Sequence, residues 1–198
     1  LESENHSPLI IDCGSNIGLS IIYFKSLFPD ARVLGFEPDP LIFGLLKENI
    51  TEFDLSDVDL IQKAVWTENS DQVPFIQDKG LGGRLAERSP YQVTVAVETV
   101  RLKEFLVTPI DLLKLDIEGA EFAVLSDVQQ ELKFVKSLFV EYHSKADEPQ
   151  KLGQLLEILR NAGFRYHIKD AYPIAHPFIK DERQSSFDLQ LNIYAFRE

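Results

Sequence analysis

The chain is poor in cysteine, in basic residues and in long apolar runs. Cys13 is the only cysteine in 198 residues, so an internal disulfide is excluded and a reducing, cytoplasmic compartment is expected. Acidic residues outnumber basic ones by 32 to 20, and the net charge of −12 argues against DNA or bulk RNA as a partner, because phosphates would be repelled. No apolar run approaches the roughly 18 residues of a bilayer-spanning helix, so no membrane partner is expected.

The chain does contain an alternation of strand-like and helical segments. Strands are predicted at Leu9–Cys13, Arg32–Phe36, Val58–Val65, Leu112–Leu115, Ser137–Val140, Phe164–Ile168 and Leu189–Phe196. Helices are predicted at Leu19–Phe28, Pro40–Phe53, Ala120–Val128 and Gln150–Ala162, the last capped by Gly163. This alternation predicts an α/β fold whose mainly parallel sheet is covered on both faces. Residues 1–198 are expected to form a single domain, even if the natural chain continues before Leu1.

Two helices are predicted from apolar residues at helical spacing. These residues are Leu19, Ile22, Tyr23 and Leu27 in the first helix, and Leu41, Leu45, Leu46 and Ile50 in the second. Residues 66–106 break the alternation. Short strands are predicted there at Gln72–Ile76 and Val93–Val97, around a glycine-rich loop at Lys79–Arg84. We expect this stretch to extend the edge of the main sheet.

The first strand runs into a turn of the kind that binds ligands in open parallel sheets. It reads Asp12-Cys13-Gly14-Ser15-Asn16-Ile17-Gly18. The two glycines are expected to let backbone approach the ligand, Asn16 to adopt a left-handed conformation, and Asp12 to accept hydrogen bonds from the ligand. No P-loop lysine follows either glycine, and Asn16 replaces the second glycine of the dinucleotide fingerprint. A ligand without a pyrophosphate is favoured, and S-adenosylmethionine is such a ligand.

The second strand supports a nucleoside ligand. It ends Gly35-Phe36-Glu37-Pro38-Asp39-Pro40, which places Glu37 23 positions after Gly14. An acid at this strand end is positioned to accept hydrogen bonds from both ribose hydroxyls. The two prolines, Pro38 and Pro40, stiffen the turn and help the next helix to begin.

Acidic residues follow the fourth predicted strand of the main sheet. Asp116 comes first, where the sulfonium of the cofactor should project, and a carboxylate there can stabilise the charge or bind the acceptor. Glu118 and Glu121 are three residues apart, so we expect them to share one face of a helix. This segment is the predicted catalytic end of the sheet.

The next strand ends Glu141-Tyr142-His143. Because neighbouring parallel strands end side by side, Glu141 and His143 are expected to face the same cleft as Asp116. His143 is the candidate general base, since an unperturbed imidazole titrates near neutrality. Asp116, Glu141 and His143 could also hold a divalent cation, but the spacing does not demand one and metal dependence is not expected.

Four motifs, in this order, resemble the FkbM family of S-adenosylmethionine-dependent methyltransferases: IIDCGSNIGLS, VLGFEPDP, LLKLDIEGAE and FVEYH. The resemblance runs from about Leu9 to His143. It implies the Rossmann-like class I methyltransferase fold, with a mostly parallel seven-stranded sheet, helices on both faces and an antiparallel last strand. It also implies O-methylation of a small hydroxylated acceptor, such as a sugar or a secondary metabolite.

Carried onto the matching positions, the resemblance implies a set of site residues. The cofactor loop is Asp12, Gly14, Ser15, Asn16 and Gly18; Glu37 binds the ribose beside Pro38; and Ala64 and Val65 lie beside the adenine. The polar neighbour of the adenine amino group stays open among Gln62, Thr67 and Glu68. With the reasoning above, the candidate catalytic residues are Asp116, Glu118 and His143.

Two other functions remain as alternatives. An NAD(P)-dependent oxidoreductase is disfavoured by the missing second glycine and by the absence of a Tyr-x-x-x-Lys pair. A fold that binds the cofactor without catalysis would instead serve as an interaction module. The Lys79–Arg84 loop either closes over the acceptor or is a plain turn, and Asp170–Ser186 is a candidate wall of the acceptor site by position alone.

Overall fold

The computed structural model describes residues 7–76, 83–85, 94–173, 178 and 187–197. Its strands are β1 (Leu9–Cys13), β2 (Arg32–Phe36), β3 (Val58–Ile61), β4 (Ala64–Trp66), β5 (Ser70–Ile76), β6 (Arg84–Leu85), β7 (Thr94–Arg101), β8 (Ile110–Leu115), β9 (Val135–Lys145), β10 (Arg165–Asp170) and β11 (Phe187–Phe196). Its helices are α1 (Leu19–Leu27), α2 (Pro40–Glu52), α3 (Glu121–Asp127) and α4 (Leu152–Asn161), with 3₁₀ turns at Leu102–Glu104 and Glu131–Phe134. Within the described ranges, no helix has the length and apolar character needed to traverse a bilayer.

The main sheet has seven strands in the order β10-β11-β9-β8-β1-β2-β3. The pairs from β9 to β3 are parallel, whereas β11 runs antiparallel to both β9 and β10. This confirms the predicted α/β fold with a mostly parallel seven-stranded sheet and an antiparallel last strand. The chain places β2 and β3 on one side of β1 and then crosses to place β8 on its other side. The strand order therefore reverses between β1 and β8, and ligands of open parallel sheets bind beyond the carboxyl ends of the strands at such a point.

Helices cover both faces of this sheet, as predicted. Successive residues of a strand point to opposite faces, and on β1 Ile10 packs with Ile21 of α1 and Leu46 of α2. Its neighbour Ile11 belongs to the other core cluster, with Val124 of α3 among its members. The sheet is therefore buried on both sides, which explains why its parallel strands are continuous apolar runs.

The predicted strand Val58–Val65 is wrong, because the structure divides it between two sheets. β3 stays in the main sheet, a turn closes with the Lys63 N–H donating to the Ile61 carbonyl at 3.0 Å, and β4 then pairs with β7. A second sheet, in the order β4-β7-β5-β6, occupies the middle of the chain. The expectation that this stretch extends the main sheet is also wrong, and the reason is that short turn after β3.

The predicted helix α1 is confirmed, but its apolar stripe is not the face that it buries. Leu19 and Tyr23 are 66% and 59% exposed, and the helix instead buries Ile21 and Lys25. Lys25 is accommodated because its Nζ donates to the Ala31 carbonyl at 2.8 Å. On α2 the stripe is partly buried, since Leu46 and Ile50 are buried while Leu41 and Leu45 are exposed.

The predicted cap of α4 is confirmed. Gly163 has φ +83°, and its N–H donates to the Arg160 carbonyl while the next N–H, of Phe164, donates to the Leu159 carbonyl. A left-handed residue followed by these bonds closes the last turn of a helix, and glycine adopts that conformation without a steric penalty.

Adjacent leucines on α2 test the corrected helix face. Leu46 is fully buried and Leu45 is 46% exposed, so we expect Leu46→Ala to lower the free energy of unfolding by about 2–5 kcal/mol. Leu45→Ala, the matched control, should lower it by less than about 1 kcal/mol. Urea denaturation followed by circular dichroism measures both. Equal losses in the two variants would contradict the assigned face.

Candidate active site

The loop after β1 turns back sharply onto β2. The N–H groups of Gly14 and Ser15 both donate to the Phe36 carbonyl, at 3.0 and 2.9 Å, and the Gly18 N–H donates to the Ser15 carbonyl at 2.8 Å. Gly14, Asn16 and Gly18 all have positive φ, of +82°, +50° and +92°. The predicted left-handed conformation of Asn16 is therefore confirmed.

The two loop glycines are needed for packing within the protein. A Cβ on Gly14 would lie 1.8 Å from the Asp116 carbonyl oxygen, and one on Gly18 would lie 2.7 Å from Leu46 Cδ1. Both directions point at protein atoms, so these two positions need glycine for packing within the protein. They let the loop lie against the end of β8 and against α2.

Asp12 is buried beneath this loop and is not among the residues that line the neighbouring cavity. Its carboxylate accepts a hydrogen bond from Ser20 Oγ at 2.5 Å and lies 3.0 Å from Lys114 Nζ. The Lys114 ammonium also donates to the Gly14 carbonyl at 2.9 Å and lies 3.4 Å from Asp116 Oδ2. Asp12 therefore holds the loop through Lys114, rather than accepting hydrogen bonds from a ligand as expected.

Lys114 was not among the predicted site residues. Burial alone would lower its pKa, but the charges of Asp12 and Asp116 outweigh burial and raise the pKa above its usual value. The ammonium therefore stays charged at the centre of the loop. The signal in the sequence is a lysine between the buried leucines Leu113 and Leu115, because buried lysines are almost always paired.

A cavity opens beside this loop, beyond the carboxyl ends of β1, β2 and β8. Eight of the predicted site residues line it: Gly14, Asn16, Glu37, Pro38, Ala64, Val65, Asp116 and Glu118. The predicted residues Asp12, Ser15, Gly18 and His143 are not among its lining residues. Ser15 is buried, and its Oγ donates to the Asp12 carbonyl at 3.0 Å.

Glu37 follows β2 directly and is one of the few buried acids. Its two oxygens accept the N–H groups of Asn16 and Asp39, at 3.0 and 2.9 Å. Burial raises the pKa of Glu37 to about 7, against the opposing effect of these two hydrogen bonds. A carboxylate thus faces the cavity in the position predicted for a ribose ligand.

The far wall of the cavity is apolar and comes from the second sheet. Ala64 and Val65 of β4 line it together with Phe75 of β5 and Leu85 of β6. Of the three residues left open as polar partners, Gln62, Thr67 and Glu68, none is among the lining residues. Their neighbour Lys63 does line the cavity, and it is paired with Glu98 at 2.7 Å.

An irregular turn follows β8. The Asp116 N–H still donates to the Cys13 carbonyl at 3.1 Å, but Glu118 and Gly119 then adopt positive φ, of +55° and +99°. α3 begins only at Glu121, so the prediction that Glu118 and Glu121 share a helix face is wrong. The left-handed pair turns the chain and directs both carboxylates toward β9.

His143 connects these carboxylates. It lies within β9, which continues to Lys145, and its side chain is only 3% exposed. Its Nδ1 lies 3.1 Å from Oε1 of the buried Glu121, and its Nε2 lies 3.6 and 3.7 Å from Glu118 and Glu141 carboxylate oxygens. The structure thus brings together the residues predicted to meet at this end of the sheet, and adds Glu121.

The electrostatics of this cluster differ from the expectation for His143. Burial alone would lower the pKa of the imidazole, but the hydrogen bond and charge of Glu121, with the charges of Glu118 and Asp116, raise it to about 9. Burial raises the pKa of the Glu118 and Glu141 carboxyls. The prediction that His143 is a general base assumed an unperturbed imidazole. The fold instead raises the pKa of His143, so the imidazole is protonated near neutrality.

A second cavity lies on the other side of Gly119, and His143 lines it. Aromatic side chains of Trp66, Phe122 and Tyr142 contribute to its wall. Of the loop predicted at Lys79–Arg84, residues 79–82 lie outside the described part of the structure, and Gly83 lines the first cavity. Most of the predicted acceptor wall, Asp170–Ser186, also lies outside the described residues.

The strand order with its antiparallel last strand, and the acid at the end of β2, are features of the class I methyltransferase fold. Residues 12–166 match the model of the methyltransferase FkbM domain, and the chain belongs to this family. The methyltransferase sdnD of Sordaria araneosa is 32% identical, over 76% of this chain and 72% of that protein. The 2-O-methyltransferase NoeI of Sinorhizobium fredii is 28% identical, over 77% of this chain and 69% of that protein.

The fold also matches a solved member of the family. The crystal structure of methyltransferase FkbM from Methylobacillus flagellatus superposes with a TM-score of 0.61 at 15% sequence identity. That match covers 98% of this chain but 45% of the other, so the chain spans less than half of that protein. At this identity the likeness concerns the fold.

Glycine substitutions test the packing of the loop. We expect Gly14→Ala to lower the free energy of unfolding by at least about 2 kcal/mol, because its Cβ would collide with the Asp116 carbonyl and its φ is left-handed. Gly44→Ala is the matched control, since its Cβ meets nothing within 4 Å on α2, and it should gain up to about 1 kcal/mol. Chemical denaturation measures both, and a Gly14→Ala variant as stable as the parent would refute the contact.

Proposed function

We propose that the protein transfers a methyl group from S-adenosylmethionine to a hydroxyl of a small acceptor. The observation that carries the proposal is the buried carboxylate of Glu37 at the end of β2, facing the cavity. Membership of the FkbM methyltransferase family supports it. The relative NoeI is a 2-O-methyltransferase, which supports oxygen as the acceptor atom.

The donors and acceptors in the cavity suit an adenosine. Each carboxylate oxygen can accept about two hydrogen bonds, and the Asn16 and Asp39 N–H groups occupy one on each oxygen of Glu37. One acceptor site per oxygen is left, which matches the two hydroxyls of a ribose. The apolar wall around Val65 and Phe75 suits a flat base, and Asp116 and Glu118 suit a positively charged sulfonium at the other end.

When bound, this cofactor supplies an electrophilic methyl group on a cationic sulfur. Methyl transfer would form a bond from the acceptor oxygen to the methyl carbon, break the carbon–sulfur bond with its electron pair passing to sulfur, and release the hydroxyl proton. Glu118 lines the first cavity and lies 3.6 Å from His143, which lines the second. We assign the hydroxyl proton to the Glu118 carboxylate, because the pKa of His143 is raised to about 9 and its imidazole already carries both protons near neutrality.

The acceptor site fits the second cavity. Its aromatic residues Trp66 and Phe122 offer apolar surface to a ring. Sugars and many secondary metabolites present such a ring beside their hydroxyls. Alignment of the hydroxyl with the methyl group supplies much of the acceleration in such displacements. A small acceptor, rather than a nucleic acid, also agrees with the net charge of −12.

Calorimetric titration with S-adenosylhomocysteine tests the cofactor assignment. Glu37→Ala should weaken binding at least tenfold, since each hydrogen bond to a charged group contributes about 1.5–3 kcal/mol. Glu48→Ala, an exposed acid on α2, is the matched control and should bind as the parent does. Binding of NAD in place of S-adenosylhomocysteine would overturn the proposal in favour of an oxidoreductase.

The pKa of Glu37 makes cofactor binding depend on pH near neutrality. Because burial raises this pKa to about 7, the carboxyl is charged at pH 8 and mostly protonated at pH 6, where it accepts weaker hydrogen bonds from a ribose. Affinity for S-adenosylhomocysteine should therefore fall up to about tenfold from pH 8 to pH 6. In Glu37→Gln the same titrations should show no such fall, and an identical fall would place its origin in another group.

A further inference from the structure

The two cavities differ in the charge of their walls. The described lining of the first includes four acids and one lysine. The described lining of the second includes two lysines, Lys145 and Lys151, and the protonated His143, against one acid, Glu148. His143 is ion-paired with the buried Glu121 at 3.1 Å, so the excess positive charge comes from the lysines. In a chain where acids outnumber bases by 32 to 20, this cavity is an exception.

The backbone that follows β9 fixes the position of both lysines. The Glu148 N–H donates to the Lys145 carbonyl at 3.2 Å, which closes a turn directly after the strand. The Lys151 N–H donates to the hydroxyl of the buried Tyr142 at 2.9 Å. The turn and this side-chain bond place the two lysines at the same cavity, although six positions separate them in the chain.

The side chains of the two lysines lie along the cavity wall. Lys145 passes over Gly119, where an added Cβ would lie 3.3 Å from the lysine Cε. The Lys151 ammonium lies 5.6 Å from the centre of the Phe122 ring, which lines the same cavity. The lysine side chains are 34% and 42% exposed. Their stems are thus partly buried while the ammonium groups stay accessible to a ligand.

One carboxylate is shared between the two ammonium groups. Glu148 Oε1 accepts from Lys145 Nζ at 2.9 Å, and Glu148 Oε2 accepts from Lys151 Nζ at 3.3 Å. The hydrogen bond from Lys145 lowers the pKa of Glu148, so two positive charges face one negative charge. Each ammonium has three hydrogens, and both can therefore donate to a second carboxylate. Glu148 itself demonstrates that one carboxylate can reach both nitrogens.

We propose that the acceptor is an anion, a ring compound with a hydroxyl and a carboxylate, and that Lys145 and Lys151 bind its carboxylate. The ring would lie against Trp66 and Phe122, which line the same cavity, and the hydroxyl would be directed toward Glu118. This inference rests on the proposed methyl transfer and narrows its substrate class to hydroxylated acids.

The opposite charges of the two cavities would then sort the two substrates. The acids of the first cavity favour the cationic sulfonium of the cofactor, and the lysines of the second favour the anionic acceptor. Each ligand would be disfavoured in the other cavity, because like charges repel there. The charge pattern thereby helps to bring donor and acceptor together in the correct order along the site.

Paired calorimetric titrations with D-glucuronate and D-glucuronamide test the inference, because these compounds differ in the charge of one group. With S-adenosylhomocysteine present, the parent should bind glucuronate at least about tenfold more tightly than glucuronamide. Lys145→Gln and Lys151→Gln should each reduce that preference about three- to tenfold. Glu148→Gln should instead strengthen glucuronate binding, since it releases both ammonium groups. Lys47→Gln removes an exposed lysine on α2 and should change nothing.

Circular dichroism shows whether each variant is folded. Equal affinity of the parent for the two compounds, a preference that persists in both lysine variants, or no saturable binding of glucuronate below about 10 mM would overturn the inference. Failure of S-adenosylhomocysteine to bind the parent would instead overturn the proposed function. Glucuronate titrated without it would still measure the charge preference of the second cavity.

Discussion

The buried ammonium of Lys114 is the interaction on which the geometry of the site depends. It lies within 3.4 Å of Asp12 on β1, of the Gly14 carbonyl in the loop and of Asp116 after β8. A buried charge that loses its partner costs several kcal/mol, so the three segments are held in one arrangement. The direct contact of Gly14 with the Asp116 carbonyl is possible only because the loop is drawn onto the end of β8 in this way.

Two other buried carboxylates, of Glu37 and Glu121, have different roles in the site. Glu37 and Glu121 both accept backbone N–H groups, and both stand at the carboxyl end of the sheet. The Glu37 carboxylate lines the cavity, where it can accept further hydrogen bonds. The Glu121 carboxylate instead bonds to backbone N–H groups and to His143. The first can bind a ligand directly, and the second acts on chemistry only through the imidazole that it orients.

The sequence predicts the main sheet and its ligand edge well, because apolar runs and acids at strand ends are local signals. It does not predict that the run from Val58 to Val65 changes sheets, since Gln62 and Lys63 carry no turn signature of glycine or proline. Nor can it choose the buried face of α1, where apolar residues lie on several sides. The role of Glu121 depends on the left-handed turn at Glu118 and Gly119, and a positive φ at a glutamate has no local signal in the sequence.

The passage of the chain from β3 to β4 means that the cavity is bounded by two sheets. Val65 and Phe75 of the second sheet face Glu37 and Gly14 of the first across the same space. Any molecule bound there contacts both sheets, so its binding free energy also stabilises their association. By thermodynamic linkage the reverse also holds. Substitutions that destabilise the second sheet, even far from the acidic residues, should lower the affinity for the ligand. The second sheet thus forms one wall of the cavity. Its stability is therefore coupled to the affinity for a molecule bound there.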